Sequence, residues 1–210
     1  MNQKYIILSL LATTLLSAFV LSSNIVSADN NSFIDKVKLK VPVSCSMSAT
    51  GMNSHTASIN IGTYQPDIGT TTATIMCNDH EGFAIYAAGY TGNEVSDTNS
   101  NKLVGTSLSS NAVIESGIAT SAGNPDVSNW AMKLETNSSA TYALTLDNGF
   151  GSYSSVPSSY TKVAHRDSGT DLGTSAKGAT LTSTYAAYIA KTQPADSYQG
   201  QVIYTLVHPS

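Results

Sequence analysis

From Lys36 to Cys45 every second residue is apolar. Val37, Leu39, Val41, Val43 and Cys45 fall on one face, and Lys36, Lys38, Lys40, Pro42 and Ser44 on the other. A period of two belongs to a strand with one buried face, so the stretch predicts a half-buried β-strand with a solvated lysine side. Pro42 has no N–H to give a ladder, which puts the strand at a sheet margin or at a bend between sheets. The same alternation predicts a short strand over Ala57, Ile59 and Ile61, ended by Gly62, and a third over Thr70 to Cys77, with Thr71, Ala73, Ile75 and Cys77 on one face. Phe83 to Tyr90 gives a fourth, and further strands are expected at Ala112 to Ile118, Trp130 to Glu135, Ala140 to Leu146, Leu181 to Ala190 and Tyr198 to Val207.

Turn chemistry separates these runs. Asn148-Gly149 is a favoured hairpin turn because both residues accept positive φ, and Pro194 stops the ladder between the last two strands. Tyr153 to Gly178, dense in Ser, Gly and Thr, reads as a long surface loop or as one more edge strand, and Asn93 to Asn101 as another polar loop. Eight or nine short strands at this spacing predict an all-β sandwich.

Ahead of the strands lies an export signal over residues 1–28. Lys4 is followed by an apolar run from Ile6 to Leu21, and Val26 and Ala28 are the small residues before a cleavage point. The run holds about 16 residues, interrupted by Ser9, Thr13, Thr14 and Ser17, against the roughly 20 a membrane-spanning helix needs. Cleavage leaves residues 29–210 as one domain with nine basic and fourteen acidic side chains, a net charge of −5. Nucleic acid and anionic lipid are not the partners of such a chain, and no membrane attachment is expected after cleavage. The protein is expected outside the cell, at its surface.

Location changes the reading of the cysteines. Cys45 and Cys77 are the chain's two cysteines, and an even count in an exported protein predicts a disulfide. Both sulfurs lie on the apolar phase of their strands, so they can meet in one core as a staple, joining the first predicted strand to the third.

Several of these segments together resemble a known family. Cys45-Ser46-Met47, Ile61-Gly62-Thr63-Tyr64-Gln65-Pro66, Ile75-Met76-Cys77-Asn78, Gly82-Phe83-Ala84-Ile85-Tyr86 and the final strand introduced by Pro194-Ala195-Asp196-Ser197-Tyr198 are similar to the spore coat protein U domain. That family belongs with the pilin-like immunoglobulin sandwiches of chaperone-usher fimbriae. The ending from Thr184 to Pro209 and the stretch Ser128 to Lys133 resemble secreted proteins of candidate phyla radiation bacteria, a group with no assigned activity to carry over. The resemblance implies an immunoglobulin-like sandwich, a surface role, and Cys45 and Cys77 at the family's disulfide. Fimbrial subunits polymerise by lending an N-terminal extension as a strand. Here only Asp29 to Ile34 precedes the first strand, so the domain is expected to complete its own sandwich, with the apolar face Val37, Leu39, Val41 and Val43 as the alternative strand-exchange segment.

Catalytic constellations are missing from the sequence. His55, His80, His165 and His208 are scattered, and Asp79-His80-Glu81 and His165-Arg166-Asp167 read as polar turns. Neither a metal nor a cofactor is expected, and the chain does not read as an enzyme. Asp97, Asn99 and Asn101 match the start of a calcium loop, but Lys102 and Leu108 replace its diagnostic Gly and Glu. Trp130 shares a strand phase with Met132 and Leu134 and is expected in the core. Among eleven tyrosines, Tyr90, Tyr153 and Tyr160 lie near loops and are the candidate surface contacts. The expected function is structural or adhesive, with other copies of the chain or other surface proteins as partners. The alternative is a soluble binding module that takes a glycan or host protein through its loops.

Overall fold

β-branched residues fill the longest strand, Thr63–Cys77, and set the architecture around it. The computed structural model describes residues 42–50, 55–90, 100–107, 112–118, 126–137, 144–167 and 178–208. All of them belong to the unit Val41–Ser210. In chain order the strands are β1 (Cys45–Thr50), β2 (Thr63–Cys77), β3 (Phe83–Tyr90), β4 (Leu103–Gly105), β5 (Val113–Ser116), β6 (Asn129–Thr136), β7 (Thr145–Leu146), β8 (Thr161–Arg166), β9 (Ala179–Ile189), β10 (Tyr198–Gln199) and β11 (Gln201–Val207). They form a seven-stranded sheet in the order β1-β2-β9-β6-β5-β4-β10 and a four-stranded sheet in the order β11-β3-β8-β7. Every pair is antiparallel except β5 with β6.

The inner faces follow the period of two. Ile75 on β2, Leu181 on β9 and Trp130, Met132 and Leu134 on β6 join Phe83, Ile85 and Val163 of the smaller sheet in one buried cluster. The outer face of the larger sheet is a threonine ladder. Thr70, Thr72 and Thr74 stand opposite Thr184, Thr182 and Thr180, and the Thr72 and Thr182 hydroxyls meet at 3.1 Å. Such cross-strand pairs favour the sheet by about 0.2–1 kcal/mol each.

Several expectations are corrected. Residues 42–44 are not strand, and β1 begins only at Cys45; Val37, Leu39 and Val41 lie outside the described residues. The cause is Asn78, whose amide bonds Pro42 O at 3.0 Å while its Oδ1 accepts the Ser44 N–H at 2.6 Å, in place of a neighbouring strand. Residues 57–60 form no strand, because the chain turns at Gly62 (φ 73°) and pairing starts at Thr63. β8 falls inside the stretch read as loop or edge strand, and it is an interior strand between β3 and β7.

Five of the ten connections between successive described strands run from one sheet to the other, and the shortest of them is a single residue. At Gly200 the chain passes from β10 in the larger sheet to β11 in the smaller, where a Cβ would meet Leu103 at 2.7 Å and Lys102 O at 3.0 Å. Asn148 (φ 53°) and Gly149 (φ 74°) take the positive φ expected of them. Their turn leads away from β7 to the flank of β6, where Phe150 O accepts from Leu134 N at 2.7 Å and Ser154 exchanges bonds with Met132.

Candidate functional site at the edge of the smaller sheet

β11 is the edge of the smaller sheet, and among the described residues no strand pairs with its outer side. Its sequence Gln201-Val202-Ile203-Tyr204-Thr205-Leu206-Val207 holds no charge, proline or glycine, the devices that normally blunt an edge. Val202, Tyr204 and Leu206 pack against the core and alternate with Ile203, Thr205 and Val207. The Tyr204 hydroxyl meets that of Tyr185 on β9 at 3.3 Å, which ties the edge strand to the larger sheet. Burial, then Tyr185 beside it, pushes the Tyr204 phenol well above its ordinary range. β1 of the larger sheet comes up on the same side of the molecule.

The Cys45–Cys77 disulfide is present and joins directly opposed residues of neighbouring strands β1 and β2. It fastens the edge strand within one sheet. Val43, just ahead of it, is 51% exposed.

The last residues of β11 border a wide, open depression of about 480 Å³ lined by Glu81, Phe83, Ala84, Arg166, Asp167, Val207 and His208. Here the pairing of Phe83 with Arg166 brings together the two polar triplets that the sequence separates by more than eighty positions. Asp79 is buried, its Oδ1 accepting from Glu81 N at 2.9 Å and its Oδ2 lying 3.6 Å from His208 Nδ1. On the outer face of the same sheet, His165 stands between Asp147 (Nδ1 to Oδ2, 2.7 Å) and Asp167 (Nε2 to Oδ1, 3.4 Å). The two carboxylates address opposite ring nitrogens, so the three groups do not converge on one ion. Among the described residues no cluster of three His, Cys, Asp or Glu side chains fits a metal. Of the calcium-like trio only Asn101 is described, and its amide bonds Val156 O at 3.1 Å.

No family model, curated protein or solved structure matches the chain.

The three candidate tyrosines separate. Tyr90 ends β3, opposite Gln201 at the start of β11, and Tyr160 is 48% exposed just before β8, so both stand at one end of the smaller sheet. Tyr153 lies on the outside of the larger sheet. There Ala131 and Ala186, side by side on β6 and β9, leave a shallow floor that Tyr64 and Tyr153 cover. Tyr153 donates to Asp67 Oδ1 at 2.7 Å, accepts from Asp67 N at 3.2 Å, and has Lys133 Nζ 5.4 Å from its ring centre. Burial and the Asp67 bond push its phenol up to about 12. The Lys133 ammonium, held by Glu135 at 2.9 Å, is also raised. Sequence reasoning missed Tyr64, Asp67 and Lys133 as a group. The available signal was Pro66-Asp67 inside a strand pattern, which marks the bulge between Gln65 and Gly69 where Asp67 takes φ 54°.

Proposed function

We propose that this is an exported, non-enzymatic surface protein with a structural or adhesive role, a pilin-like immunoglobulin sandwich that assembles with other copies by strand addition. The observation that carries the reading is the outer side of β11, uncharged, seven residues long, half-buried along Val202, Tyr204 and Leu206, and unpaired among the described residues. An edge of this kind accepts an extended segment through main-chain bonds, while alternate side chains enter the core. The segment with the matching alternation is Val37, Leu39, Val41 and Val43.

The test is a denaturing gel of the protein taken from its own cell envelope, with the disulfide kept and with or without boiling. A ladder that collapses on heating supports strand-added polymer. A single band in both lanes removes it and leaves the second reading, a soluble module that binds a glycan or host protein through the end of the smaller sheet where Tyr90 and Tyr160 stand.

A further inference from the structure

The open depression beside the end of β11 has two unlike parts. Phe83, Ala84 and Val207 form an apolar wall, and acids gather around it. Among the described residues that line it, Glu81 and Asp167 are the acids beside the guanidinium of Arg166, and the buried Asp79, outside that lining, has its Oδ2 3.6 Å from His208 Nδ1. Glu81 and Asp167 are the carboxylates that a donor arriving from solvent can reach, the Asp167 side chain being 81% exposed.

An apolar wall leading to carboxylates suits one kind of group, a methylene stem that ends in an ammonium. We propose that this mouth receives a lysine side chain from the extended segment Lys36–Val43 of a second copy. The inference rests on the strand-addition reading above and adds to it what fixes the incoming strand lengthwise. That segment carries Lys36, Lys38 and Lys40 on its polar face and no acid. Val207, the last residue of the accepting strand, is itself part of the mouth, so a strand laid along β11 brings one of its lysines to the carboxylates. Rim charges of this sort act mainly on the rate and register of association.

The experiment uses the full mature chain, followed by the growth of heat-sensitive multimers on gels at low salt and at about 1 M salt, where charges are screened beyond about 3 Å. Glu81→Gln with Asp167→Asn, and separately Lys36, Lys38 and Lys40→Gln, should each slow assembly about tenfold at low salt. Combining the two sets should slow it no further, and all four proteins should converge at high salt. Unchanged melting temperatures show that the variants fold. Variants that assemble at the wild-type rate at low salt overturn the lysine receptor and leave strand addition standing. Wild-type protein that forms no multimer at all overturns both.

Discussion

Tyr153 and Asp67, 86 residues apart, close on each other through two hydrogen bonds across the outside of the larger sheet. The pair straps the segment after the Asn148-Gly149 turn over Ala131 and Ala186, and it holds the β2 bulge at the same time. The folded state binds the Tyr153 proton more tightly than the unfolded chain does, with a pKa of about 12 against the ordinary 10.0. Its stabilisation is therefore complete below pH 10 and is lost as pH rises through about 12. Alkaline unfolding followed by tyrosinate absorbance should show this loss. Tyr153→Phe should shrink it, at a cost of about 0.5–1.5 kcal/mol at neutral pH for the missing bond. Tyr64 and Tyr204, raised in the same direction by burial, keep part of the alkaline transition in that variant.

Trp130 has two separate attachments. Its ring is buried and stacks on Tyr185 with centres 6.1 Å apart, and its Nε1 donates to Asn101 O at 2.9 Å. Trp130→Ala should cost about 3–5 kcal/mol by opening a cavity. Trp130→Phe should cost about 1–3 kcal/mol, mostly for the carbonyl left without its donor. Urea unfolding of both variants separates packing from the hydrogen bond, and a Trp130→Ala protein as stable as wild type would refute the core assignment.

How much of this was legible in the sequence depends on whether an element announces itself by local pattern. The pattern marks β3 to the residue and puts Trp130, Met132 and Leu134 in one buried phase, because alternation alone decides them. β8 was hidden because Lys162 and His165 interrupt its apolar run; its burial on Val163, Ala164 and Arg166 comes from lying between two neighbours. Asn78 is invisible as a clamp in the sequence, since only the fold places its amide against Pro42 and Ser44, 36 and 34 positions back. The depression is a matter of register. Asp79-His80-Glu81 and His165-Arg166-Asp167 each look like a solvated turn until the pairing of β3 with β8 sets them side by side.

The disulfide should matter more to stability than to shape. Cys45 and Cys77 are already opposite one another in an antiparallel ladder, with 32 positions between them in sequence. Closing a loop of that length restricts the unfolded chain by about 3 to 4 kcal/mol in the entropy model. The double Cys45→Ala, Cys77→Ala variant should lose about that much in denaturant unfolding while keeping its far-ultraviolet spectrum.

Gly82 and Gly149 both adopt positive φ, 91° and 74°, yet they should respond differently to alanine. At Gly149 the space for a Cβ is open, so Gly149→Ala carries only the left-handed penalty of about 1–2 kcal/mol. At Gly82 the added carbon collides with the backbone carbonyl of Arg166, which the β3–β8 ladder holds in place. Gly82→Ala should exceed about 3 kcal/mol, and thermal melts of the two variants make the comparison directly.

Charge on the free face of β11 gives the sharpest test of assembly, because the sign of its effect is fixed in advance. Ile203 and Thr205 alternate with the core-facing Val202, Tyr204 and Leu206, so their substitution spares the core. A strand that buries Val37, Leu39, Val41 and Val43 along this edge turns Lys36, Lys38 and Lys40 to the same outer face as Ile203 and Thr205. Like charges directly opposite in a sheet destabilise it and unlike charges stabilise it, by about 0.2–1 kcal/mol per pair. Ile203→Lys with Thr205→Lys should therefore lower the temperature at which the gel ladder collapses, and Ile203→Glu with Thr205→Glu should raise it. In each case the melting temperature of the separated protein serves as the control. A ladder that weakens equally with either sign would mean that the incoming strand carries no lysine face, and the donor would have to be sought outside Lys36–Val43.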